Sequence, residues 1–142
     1  MKTCTVMILT LGTVALMACA SGIARLHGDD ASQRYVDYAG APVDHFTAFR
    51  LDGWTPVSRN RLVVWNGVNE AYLVTVWDTC RDLQFADHIG VSSTTNTVSH
   101  FEHVTVGRDR CPISEIRPID VKQMKADQAA AAAAKKAASS TG

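Results

Sequence analysis

Residues 61–77 read RLVVWNGVNEAYLVTVW. Leu62, Val63, Val64 and Trp65 are apolar, β-branched or aromatic, the residue types a strand favours. Asn66-Gly67 is a strong turn signal between two such runs, and Asn69 and Glu70 make the loop longer than the minimal two residues. From Ala71 the chain returns. Tyr72, Val74 and Val76 fall on one face, and Leu73, Thr75 and Trp77 on the other, because strand side chains alternate. Both faces are largely apolar, so the hairpin is expected to be central and covered on its second side.

Upstream, Pro42 opens the folded part, and residues 45–51 alternate loosely as a strand. Asp52-Gly53 marks a turn, and Trp54 after it reads as a lid on the core. Downstream, residues 80–86 read as a turn into a short strand through Leu83 and Phe85. Residues 88–91 are another short strand, and 92–97, all Ser, Thr and Asn, a loop tip. Residues 98–106 read as one irregular strand with a bulge near Glu102, which reconciles Phe101 with Val98, Val104 and Val106. Cys111 begins the last strand. Pro112 suggests an edge there, and the spacing of Ile113 and Ile116 implies a kink. Asp120 with Gln123 three residues on matches a helix N-cap. Val121 and Met124 supply one apolar face. Beyond Ala126 the chain is nearly all alanine, a good helix former with no face to dock. It is expected to fray toward a disordered end. Together these predict a mostly β domain, a small antiparallel barrel or curled sheet of about six strands with a short C-terminal helix. A two-layer α+β sheet is the runner-up.

At the other end, Lys2 precedes an uncharged apolar run over residues 5–18. It is shorter than the roughly 20 residues of a membrane span and has the length of a secretory core. It closes on Leu16-Met17-Ala18-Cys19, which resembles the bacterial lipobox. The resemblance implies lipidation of the Cys19 thiol, removal of residues 1–18 and acylation of the new N-terminus. Each buried acyl methylene contributes about 0.8 kcal/mol, so several chains hold firmly. The resemblance to Gram-negative lipoproteins, with Ala20 rather than an acid after the cysteine, implies the periplasmic face of the outer membrane; a soluble periplasmic protein is the alternative. Residues 19–40 then read as a polar tether, with at most a helical turn from Asp30. Residues 41–125 form the β domain and 126–142 an Ala-rich tail.

Lys and Arg balance Asp and Glu at 14 each, giving zero formal net charge. No basic excess argues for nucleic acid, and no acidic excess for a cation store. Of the four cysteines, the lipobox resemblance implies that Cys4 would leave with the signal and Cys19 would take lipid. Cys80 and Cys111 remain, an even pair in an oxidising compartment, and are expected to bond. A redox pair wants C-x-x-C spacing, which they lack. A metal pair wants two more ligands, and none is suitably spaced.

The candidate chemistry is thin. His100, Glu102 and His103 offer a metal or hydrolase site, but on a regular strand His100 and His103 face opposite ways. No G-x-S-x-G or glycine-rich phosphate loop occurs, and no cofactor is expected.

From Tyr38 onward the order of features is Y-A-G-x-P-V, Trp54, L-V-V-W-x-G-V-N-E-A-Y-L-V-T-V, C-x-x-L and C-x-I-x-x-I-R-P-I-D. The residues that carry it are Tyr38, Gly40, Pro42, Trp54, Trp65, Asn69, Glu70, Tyr72, Leu73, Cys80, Leu83, Cys111, Ile113, Ile116, Arg117, Pro118 and Asp120. This resembles a family of small Gram-negative envelope proteins of unknown function, often lipoproteins. The resemblance implies no activity, and it agrees with a Cys80–Cys111 disulfide. The expected function is a non-catalytic envelope module held to the membrane through Cys19, with an envelope protein as partner. Asn69, Glu70, Arg117 and Asp120 are its candidate contact surface. The alternative is a periplasmic enzyme using His100, Glu102 and His103.

Overall fold

The computed structural model describes residues 27–78, 80 and 82–140. The hairpin read first in the sequence is its centre. β3 (Arg61–Trp65) pairs with β4 (Ala71–Val76) with Val63 opposite Leu73. β2 (Gly53–Ser58) flanks β3, while β8 (Asp109–Ile119), β7 (His103–Val106) and β5 (Gly90–Val91) follow β4. All pairs are antiparallel, and the six strands curl into a half-barrel. Alternation puts Leu62, Val64, Val74 and Val76 on the concave face and Val63, Ala71 and Leu73 on the convex one. All seven are buried, as the two apolar faces of the hairpin require.

The concave face is closed by a two-stranded sheet, β1 (His45–Thr47) with β6 (Thr97–Ser99). Phe46 and Val98, opposite each other in it, are both buried. Phe46 stacks on Tyr72 at a centroid distance of 4.1 Å. The convex face carries two helices. α1 (His27–Asp37) brings Tyr35 and Val36 onto it, with Tyr35 edge-on to Trp65 at 6.3 Å. α2 (Val121–Ser139) docks through Val121 and Met124. Asp120 caps it, its carboxylate accepting from Gln123 N at 2.9 Å. Among the described residues no helix is long and apolar enough to cross a membrane.

Several local expectations are corrected. β8 is not an edge strand; it lies between β4 and β7. Its first half pairs with β7 and its second with β4, and its prolines stand where a ladder bond is not required. Pro112 O accepts from Trp77 N just past the end of β4. Pro118 O accepts from Gly40 N in the segment that runs along the other side of β8. The kink between Ile113 and Ile116 is real. The register with β4 shifts between Thr75 and Val76, leaving Ser114 as the extra residue. Its hydroxyl donates to Thr75 O at 3.0 Å, and both isoleucines thereby reach the concave core.

Residues 98–106 are two strands, not one bulged strand, because Glu102 N donates to Ser99 O and closes a turn between them. Leu83–Phe85 is a 3-10 turn rather than a strand. Only Leu83 buries, into the concave core, while Phe85 is 74% exposed, so no alternating face is satisfied. Residues 53–58 form a strand where a turn was expected at Asp52-Gly53, and Trp54 packs half-buried against the concave core, as a lid would. Pro56 is tolerated because β2 is an edge. The expected tether carries the whole of α1, drawn into helix by the convex apolar face. α2 likewise continues regularly through the alanine tract to Ser139.

Candidate functional site

The pairing of Ala71 with Ile119 puts the β3–β4 loop and the start of α2 at one end of the half-barrel. Three of the four candidate contact residues, Asn69, Glu70 and Asp120, meet there. The loop is tied down on both sides. Asn66 N donates to Glu70 O at 3.0 Å, closing its neck. The Asn66 amide nitrogen donates to Thr47 O of β1 and to Glu70 Oε1, each at 3.0 Å. The same Glu70 oxygen accepts from the Tyr72 hydroxyl at 2.7 Å. From α2, Lys125 Nζ donates to Val68 O at 2.6 Å and to Asn69 Oδ1 at 3.0 Å. Val68, at the tip, is 78% exposed, and Phe49, in the neighbouring β1–β2 loop, 83%.

Partial burial, followed by the bond to Glu70, pushes the Tyr72 hydroxyl up to about 12. Its proton therefore stays on through neutral and mildly alkaline pH, and the Tyr72–Glu70 bond with it. Asp120 faces inward to its own helix as the cap, so its carboxylate is already used. Arg117 lies apart, opposite Leu73 on the convex side. Its Nε and terminal nitrogen both meet Glu115 Oε1, at 2.9 and 2.7 Å. That ion pair borders a crevice of about 140 Å³ with Val36, Ala39 and Arg61. The four candidate residues thus divide into a loop-end group and a separate ion pair.

The enzyme candidates divide too. His100 sits in the turn beside Phe101, ring centroids 3.9 Å apart. Glu102 and His103 meet elsewhere, at Ser92. The Ser92 hydroxyl donates to Glu102 Oε2 and lies 3.0 Å from His103 Nδ1. It also accepts from His103 N at 2.9 Å, and Thr94 donates to Glu102 Oε1 at 2.7 Å. These two hydroxyls hold the Glu102 carboxyl below the usual carboxylate range. An ionised carboxylate only accepts, so the Ser92 proton points to Glu102 and His103 Nδ1 approaches as a donor. Both lone pairs of Ser92 are then engaged. A nucleophilic serine needs the reverse arrangement, with its proton passed to the imidazole. Among the described residues, no group of three His, Cys, Asp or Glu converges as metal ligands.

Other recesses are shallow. One, of about 410 Å³, opens between Asp82, Phe85, His88 and Arg108. A smaller, more apolar one of about 160 Å³ sits at the seam between the edge strands, lined by Leu51, Trp54, Val64, Ile89 and Val91. Cys80 and Cys111 form a disulfide, Cα atoms 5.6 Å apart, within the concave core. Cys19 and the rest of the expected lipobox lie outside the described residues.

Sequence reasoning did not mark Asn66, Tyr72, Lys125, Ser92 or Thr94 as site residues. For Tyr72 a signal existed: an inward tyrosine needs a partner for its hydroxyl, and Glu70 stands two residues earlier on the same face. Ser92 and Glu102 are joined only by folding, and no local pattern marks them. No curated protein and no solved structure matches this sequence. A family model does match, over residues 1–135, and the chain belongs to the family of unknown function DUF6491.

Proposed function

We propose that this chain is an exported lipoprotein of the Gram-negative envelope. It is anchored through acylated Cys19 at the periplasmic face of the outer membrane and acts as a non-catalytic binding or structural module. The observation that carries the reading is a disulfide in the core of a chain whose N-terminus ends on Leu16-Met17-Ala18-Cys19. A core cystine is at home in an oxidising compartment, and the lipobox is an address to one. The non-catalytic part is supported by the Ser92 cluster, whose hydrogen bonds run the wrong way for a nucleophile. The surface offered to an envelope partner is the loop end, where Asn69 and Glu70 follow exposed Val68 and Glu70 shares a recess with exposed Phe49.

Intact-mass analysis of the protein from membranes of its native host should give a chain that begins at an acylated Cys19. A photo-reactive residue placed at position 68 should capture one discrete envelope protein in living cells. The same group on exposed Lys122 should capture only scattered material. A chain that begins at an unmodified Met1 with free thiols overturns the anchor. Equal, scattered capture from both positions overturns the module.

A further inference from the structure

We propose that Asn66-Gly67 is a deamidation site held shut by the fold, and that its conversion unlatches β1 from the β3–β4 loop. An asparagine side chain is lost when the next residue's backbone nitrogen attacks Cγ. The C–N bond to the amide breaks and ammonia leaves, taking the proton that the backbone nitrogen gives up. Water then opens the resulting five-membered imide at either carbonyl, leaving aspartate or isoaspartate. Glycine is the successor that hinders this attack least. Gly67 adds two further features: its φ is +148°, a conformation side chains rarely adopt, and the space a Cβ would fill is empty.

Ring closure requires the Asn66 side chain to swing toward Gly67 N. The fold opposes that swing. One amide proton is held by Thr47 O and the other by Glu70 Oε1, each at 3.0 Å. Glu70 is itself held by the Tyr72 hydroxyl. Breaking both bonds before attack slows the reaction roughly 30-fold against the unfolded chain, at the usual net strength of such bonds.

The product changes the sign of the contacts. A carboxylate at position 66 has only lone pairs to present, and it faces a carbonyl oxygen and the Glu70 carboxylate. Two attractions become two repulsions at the end of β1. β1 is short and carries Phe46, the ring that closes the concave core over Tyr72. Isoaspartate also inserts an extra backbone carbon into a loop that Lys125 grips at Val68 and Asn69. Deamidation is irreversible without repair, so the site marks the age of the molecule and loosens its lid as it does so.

The test uses the full-length oxidised protein, aged at mildly alkaline pH and sampled by peptide mapping that separates aspartate from isoaspartate at position 66. The folded protein should convert roughly 30-fold more slowly than the same chain in denaturant. Glu70→Ala, which removes one of the two acceptors, should speed the folded-state reaction about fivefold. Asn66→Asp, in a protein whose circular dichroism is unchanged, should raise amide exchange at residues 46–48 and leave that of β4 alone. Equal rates in folded and denatured chains overturn the latch. A folded Glu70→Ala variant that ages at the parent rate does the same. Unaltered exchange at residues 46–48 in Asn66→Asp overturns the consequence drawn for β1.

Discussion

Ser92 uses its proton and both lone pairs inside the fold, on Glu102 and His103. Its bond is the largest cause of the lowered Glu102 pKa. A carboxyl with a depressed folded pKa contributes stability that is present above its unfolded pKa and lost as pH falls through the folded value. Ser92→Ala should therefore raise the Glu102 midpoint back toward the ordinary carboxyl range and flatten the acid side of the stability profile. Carboxyl-carbon NMR titration reads the first, and denaturant melts down the acid range read the second. An unchanged Glu102 midpoint in the variant would remove Ser92 from its assigned place. The turn this cluster supports is itself demanding: Thr95 and Asn96 both have positive φ, 52° and 59°, without a glycine. Asparagine tolerates that region, whereas a β-branched threonine there is an outlier. The sequence shows a run of Ser, Thr and Asn at this point and so the loop, but not its handedness. The hydroxyl–carboxylate contacts that offset the strain join residues with no local relation.

At the scale of elements, the patterns that survive are those with a strong period and apolar content, β3 and β4 above all. Where the period breaks, local reading needs a neighbour that the sequence does not name. Pro112 reads as an edge until Trp77 is seen to meet its carbonyl past the end of β4. Residues 27–37 read as tether because the convex face that holds Tyr35 and Val36 is built from strands far along the chain. The start of α2 is legible because its signals are local. Asp120 supplies the cap, and Val121 and Met124 the buried contacts. Asp120→Ala removes an acceptor from Gln123 N and should cost about 1 kcal/mol. The denaturant midpoint should fall accordingly, with the slope unchanged. Asp120→Asn, which keeps a capping oxygen, should recover most of the loss. A variant as stable as the parent would mean that docking at Val121 and Met124 alone fixes the helix start.

For the molecule as a whole, the half-barrel is a sheet that does not close on itself. β2 and β5 are its two edges, and the concave core must be stoppered by pieces outside the sheet. β1 and β6 form one stopper, and the 3-10 turn at Leu83–Phe85 forms the other. Leu83 is fully buried there, yet a three-residue turn has little structure of its own to keep it in place. The Cys80–Cys111 disulfide joins the chain just before that turn to β8, which passes through the middle of the sheet. Two buried sulfurs in the concave core thus do what strand pairing does elsewhere. Their 31-residue separation corresponds to about 3 to 4 kcal/mol of unfolded-state restriction in the chain-entropy treatment. Reduction should lower the unfolding free energy by about that amount. Because the stopper at Leu83 is held by the bond and the central hairpin is not, the loss should be uneven. Amide exchange in the reduced protein should rise first at residues 83–86 and in β5, while β3 and β4 keep their protection until global unfolding. If β3 and β4 lose protection together with residues 83–86 under mild reducing conditions, the disulfide supports the sheet directly rather than its stopper.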